Sequence, residues 1–196
     1  MRHPTPTGQW FTSSDGQKWW FDSGAASLDF AYTGGFDERR ESLHTAENLA
    51  EWLGGRFPEF DGQASDGNLR DARGLRASLA RMTVAASHGH PLAVEDVDIV
   101  NLVASMPDIP PPALVGGSRR AGRSSATCGQ ALASMAREAI ELFAPDQHNR
   151  LRECAADDCG LMFYDESRSN NRRWCSMQRC GNRAKVRAHR SRAAER

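Results

Sequence analysis

Four of the chain's five cysteines fall within 27 residues, in the order Cys154-x4-Cys159-x15-Cys175-x4-Cys180. Two short-spaced cysteine pairs on turns can present four thiolates to one tetrahedral zinc ion at about 2.3 Å. No position in that count is left open for water, so such a site is structural rather than catalytic. The same residues could instead form two disulfides or stay as four unligated thiols. Met1–Gly16 is polar, with no apolar run of signal-peptide type, and clustered cysteines then favour metal. Residues 151–196 also hold too few apolar side chains to fold unaided, and metal binding can supply the missing free energy. The expectation is one structural Zn2+ on Cys154, Cys159, Cys175 and Cys180, with Phe163 and Trp174 shielding it. Cys128 stands apart and reads as a small apolar thiol at a helix start.

The second chemical feature is charge. The formal net charge is zero, but residues 1–150 hold 14 Arg+Lys against 19 Asp+Glu, which is −5, and residues 151–196 hold 11 against 6, which is +5. Opposite signs in two halves suggest two modules, the second with an anionic partner. Arg183, Arg187 and Arg190 recur at steps of four and three, with Lys185 and Arg192 beside them and Arg172 and Arg173 upstream. These seven residues are the candidate nucleic-acid contacts. The competing role for them is a solvated helix, or compensation of the −2 charge of a four-thiolate zinc site.

Elements must position these groups. The apolar run Leu161–Asp165, the polar turn Ser167–Asn171 and a return through Arg172–Cys175 suggest a hairpin between the two cysteine knuckles. A basic helix over Asn182–Ala194 then completes a treble-clef-like order. Upstream, periodicity predicts helices over Asp37–Leu53, Asp66–Ser87, Val94–Met106 and Gly129–Ala144. Residues 107–127, rich in Pro and Gly, suit a loop or a short hairpin. The aromatic runs Lys18–Gly24 and Leu28–Thr33 read as short extended segments, and Met1–Gln17 as a flexible leader. Trp10, Trp19, Trp20, Phe21 and Trp52 are expected in the core. The fold class is therefore α+β and mainly helical, with domains at 18–150 and 151–196. No apolar stretch is long enough to span a membrane.

Residues 18–150 offer no nucleophile with a base at recognisable spacing, so no enzyme is expected. His88 and His90 could face a metal with His44, but the sequence shows no positioned carboxylates, and a solvated helix end is the favoured reading. Asp29, among apolar neighbours, needs a partner, which makes it either a structural carboxylate or a weak candidate for ligand binding.

The stretch Arg173-Trp-Cys-Ser-Met-Gln-Arg-Cys-Gly-Asn-Arg-Ala-Lys resembles the CGNR zinc-finger family, named for Cys180-Gly181-Asn182-Arg183. The likeness extends back through Cys154-Ala-Ala-Asp-Asp-Cys159 and Phe163-Tyr-Asp-Glu-Ser-Arg, about 45 residues in all. Leu28-Asp-Phe-Ala-Tyr-Thr looks like the opening motif of the ABATE domain, which that family couples to the finger. Asp157 replaces an expected proline, and Ala31-Tyr32 the more usual Val-Asn. The resemblance implies that the four cysteines are the zinc ligands. It further implies a stress-induced bacterial transcription regulator, a DNA-binding protein whose N-terminal domain senses a small-molecule effector or mediates association, such as homodimerisation. The polar N-terminus and the lack of a membrane-length apolar run make the cytoplasm the expected location. Two alternatives stand beside it, a protein-interaction adaptor with a purely structural zinc module, and RNA binding.

Overall fold

Three of the described helices begin where the sequence can cap them. The computed structural model describes residues 5–12, 16–37, 40–110, 113–114, 121–122 and 125–194. In chain order the elements are β1 (Gln9–Thr12), β2 (Lys18–Phe21), α1 (Ala26–Ala31), α2 (Ala46–Gly54), α3 (Asp66–Ser87) and α4 (Val94–Ala104). There follow β3 (Ala113–Leu114), β4 (Ala121–Gly122), α5 (Cys128–Leu142), β5 (Leu151–Glu153), β6 (Met162–Tyr164) and α6 (Asn182–Ala194). Each of α2, α3 and α5 opens on a reciprocal capping box, Thr45 with Asn48, Ser65 with Asn68 and Thr127 with Gln130. The strands pair as three antiparallel hairpins, β1–β2, β3–β4 and β5–β6. Residues 107–127 thus include a short hairpin.

The main core gathers apolar side chains of α1 to α5, among them Phe30, Leu49, Leu75, Leu79, Val100 and Met135. At its edge Arg76 of α3 is buried, and its guanidinium donates to both Glu41 carboxylate oxygens, at 2.7 and 2.6 Å, and to the Thr33 carbonyl at 3.1 Å. That pairing holds the Glu41 carboxyl down at about 2.

Three expectations need correction. Leu28–Thr33 is not extended. Its first four residues lie in the six-residue helix α1, all of which is buried, and Glu138 of α5 accepts from the Ala26 and Ser27 amides at its start. A helix of under two turns, covered on every side, has no 3.6-residue stripe to show. The helix expected from Asp37 starts only at Ala46, because Glu41 and Leu43 are engaged by the core before Thr45 caps it. The leader is not free either: Gln9–Thr12 is β1, in register with Lys18–Phe21.

Asp29 explains how the N-terminal segment is held. Its carboxylate, fully buried, accepts from the Gly8 amide and from the Ser23 hydroxyl at 2.7 Å, with the Arg56 guanidinium 3.4 Å away. It joins the N-terminal segment to α1, a structural role. Burial, only partly offset by the Ser23 bond, Arg56 and Gly8, raises its pKa to about 6. A carboxyl whose folded pKa lies above its unfolded value stabilises most when protonated, and that contribution is lost as pH rises through about 6. Relative to Asp29→Asn, the native protein should therefore gain up to about 3 kcal/mol between pH 7 and pH 4. Urea midpoints measured across that range check this, and an advantage that grew with rising pH would contradict it.

Candidate metal centre and basic helix

The first knuckle forms at the tip of the β5–β6 hairpin: Cys154 follows β5, and Cys159 lies two residues before Leu161. The chain thus pairs differently from the expected hairpin of Leu161–Asp165 with Arg172–Cys175. β6 turns back onto β5, while the return segment contributes the Arg173 carbonyl to the Ala155 amide. The turn between is pinned by the buried Asp165 carboxylate, which accepts from the Ser167 and Arg172 amides at 2.9 and 2.7 Å. Asn170 takes the left-handed conformation there, at φ 44. Cys180 sits in a single π-helical turn, Met177–Gly181, that runs directly into α6. A β-carbon on Gly181 would come within 2.7 Å of the Met177 sulfur, so the Met177 side chain lies directly over the glycine that follows the last cysteine.

The four sulfurs lie within 4.8 Å of one another. Cys175 Sγ is 3.5 Å from both Cys159 Sγ and Cys180 Sγ, and the Cys175 amide donates to Cys154 Sγ at 3.4 Å. A tetrahedron with zinc–sulfur bonds of about 2.3 Å has edges near 3.8 Å, so this donor set fits the ion. Left as thiols, Cys154, Cys159 and Cys175 pull one another's ionisation in opposite directions. Hydrogen bonding to Cys175 draws Cys159 down to about 5, the same bond pushes Cys175 up, and burial raises Cys154 to about 11. A dication removes that conflict by taking all four as thiolates. Cys154, Cys175 and Cys180 are buried, and Cys159 is half-buried. Phe163 is fully buried beside them, while Trp174 is partly covered.

This centre is not confined to residues after 150. Its apolar surround includes Phe11 of β1, Phe21 of β2 and Tyr32 after α1. The Tyr32 hydroxyl accepts from the Met162 amide at 2.7 Å and lies 3.0 Å from its carbonyl, and the Tyr164 amide donates to the Ser23 carbonyl. Gly24, at φ 82, lets the chain pass against the Tyr164 carbonyl where a β-carbon would collide. The β1–β2 hairpin thus packs with the zinc module, although the 129 residues 22–150 lie between Phe21 and Leu151. Trp10 and Trp20 on that hairpin are not core residues, being 67% and 45% exposed.

The predicted cationic contacts divide. Arg172 turns inward: Nη2 donates to the Asp22 and Cys175 carbonyls and Nε to Trp174, while the guanidinium covers the Phe163 ring at 4.2 Å. It is removed from the nucleic-acid set, because the fold uses those donors. Arg183 is shared between the Asp158 carboxylate, at 3.0 Å, and Cys180 Sγ, at 3.2 Å, so it also offsets thiolate charge. Arg187 reaches Asp158 at 3.7 Å. Arg173, Lys185, Arg187, Arg190 and Arg192 are exposed. Arg179, which the sequence did not single out, stacks on Trp19 at 4.7 Å and joins Arg183, Arg187 and Arg190 along a groove of about 530 Å³. Only the fold could place it there, since Trp19 comes from β2.

The protein is thus a helical domain fused to a four-cysteine zinc module that ends in a cationic helix. Residues 24–146 match the ABATE family, described as "Putative stress-induced transcription regulator", and residues 150–193 match the CGNR zinc finger. The chain belongs to the ABATE family, carries a CGNR zinc finger, and holds one structural zinc ion. No curated protein matches it significantly. Among the described residues, no helix is long and apolar enough to cross a membrane.

Proposed function

We propose that the protein is a cytoplasmic, non-enzymatic transcription regulator that binds DNA through α6. The observation that carries this reading is the anchoring of α6. Cys180 and Arg183 tie its first turn to the metal centre, while every described residue from Lys185 to Ala193 is exposed. Its cations lie on two faces: Arg187 and Arg190 border the groove beside Asp158, and Lys185 and Arg192 lie on the opposite side. A hydrophobic interface would need apolar side chains here, and the exposed part of α6 offers Val186 and alanines. Neutralising phosphates by such a helix releases counterions, so binding falls steeply with salt. The helical domain is the proposed seat of signal reception or association. An open groove of about 330 Å³ bordered by Phe36, Ala80 and Val84 could admit an apolar effector.

The test is fluorescence anisotropy on a labelled duplex between 50 and 200 mM salt. Replacing Arg187, Arg190 and Arg192 together by alanine should lower the slope of log K against log salt by about 2 to 3. Affinity at low salt should fall at least tenfold. Binding and slope unaltered by the triple substitution would refute the assignment to α6.

A further inference from the structure

The exposed Trp20 of the β1–β2 hairpin borders a surface that phosphate binding by α6 does not use. Trp20 lines a groove of about 710 Å³ together with Arg173, Trp174, Met177 and Gln178. Trp20 is 45% exposed and Met177 52%. The Trp20 ring is held in place, lying against Gly8 so closely that a β-carbon there would come within 2.5 Å of three ring atoms. Trp10 meets it edge-on at 5.4 Å, and Arg173 stacks over Trp174 at 5.2 Å. Aromatic rings fixed in water, on a chain segment brought to the zinc module from 150 residues away, form a platform rather than a core.

The chemistry of the occupant follows from what adjoins this platform. Gln178 lines both the aromatic groove and the arginine groove of Arg179, Arg183, Arg187 and Arg190, so the two adjoin. The arginine groove has a single carboxylate, Asp158, against those four cations. In the aromatic groove, the Asp22 carboxylate is taken up by the Gly24 amide at 2.9 Å. One ligand class carries regularly spaced negative charge and a flat ring at every repeat. In a duplex those ring faces are covered by neighbouring base pairs, whereas an unpaired strand exposes them for stacking.

We infer that these adjoining grooves bind single-stranded DNA, stacking bases on Trp20 while the α6 arginines hold the backbone. The inference rests on the DNA-binding reading above and extends it from duplex phosphate to unpaired bases, as at a melted or distorted site. A labelled 15-nucleotide oligo(dT), a duplex of equal length and oligo(U) RNA are titrated with the full chain at two salt concentrations. The oligo(dT) should bind more tightly than either of the others and quench tryptophan fluorescence. Trp20→Ala should weaken oligo(dT) binding roughly tenfold and leave duplex binding and zinc content unchanged. Trp20→Phe, which keeps a stacking face, should restore most of the loss. A duplex or RNA preference, or Trp20→Ala without a selective effect on oligo(dT), would overturn the inference while leaving duplex recognition by α6 standing. Failure of the native protein to bind any of the three would remove both.

Discussion

Replacing Cys175 by serine is expected to abolish zinc binding and to unfold residues 151–194, the largest effect anticipated for any single substitution. Cys175 touches two other ligand sulfurs and donates its amide to the third, so its loss breaks the centre from the middle. Structural zinc in small modules contributes about 10–16 kcal/mol of apparent binding free energy. The apolar surround of this one is too small to make good that loss. The damage should extend beyond the module, since Phe11, Phe21 and Tyr32 pack on the cysteines. Backbone amide exchange should therefore rise in β1 and β2 as well as in β5, β6 and α6, while α3 and α5 stay protected. Mass spectrometry under native conditions should show one zinc in the native chain and none in the variant. Retained zinc, or a hairpin whose protection does not change, would contradict this.

Arg76→Ala is expected to destabilise the helical domain by about 3–5 kcal/mol, because it leaves the partly buried Glu41 carboxylate without its counter-charge, held only by the Leu43 amide, and takes one donor from the Thr33 carbonyl. Against a total of about 5–15 kcal/mol, that is a large share. The effect should fade in acid. Glu41 has a depressed pKa, so its contribution is complete above the ordinary carboxylate range and is lost as pH falls towards about 2. Denaturant midpoints at neutral pH measure it, with Glu41→Gln as the partner in a double-mutant cycle. A loss below about 1 kcal/mol would show that Arg76 is not carrying the load the geometry assigns to it.

What could be read in the sequence was whatever repeats locally. α3 runs from Asp66 to Ser87 and α6 from Asn182 to Ala194, the spans that the spacing of apolar and basic residues predicts. The four ligands were legible because thiols in two pairs have few other uses. Long-range pairings were not. Arg172 looks like part of a basic run until the fold brings Asp22 beneath it. Asp29 looks like a residue of an extended segment until Gly8 and Ser23 close over it within a helix. The aromatic run of β2 suggests core, yet alternation along a strand buries Phe21 and leaves Trp20 outside. In each case the deciding partner lies on another element, and side-chain type alone does not specify it.

The most direct test follows duplex binding while zinc is withdrawn from the folded protein and then returned. Release of the ion, followed with a colorimetric chelator, should track loss of the salt-sensitive anisotropy signal one for one, and adding zinc back should restore both. Undiminished affinity in a preparation shown to contain no zinc would mean that the metal does not hold the cationic helix in its working position.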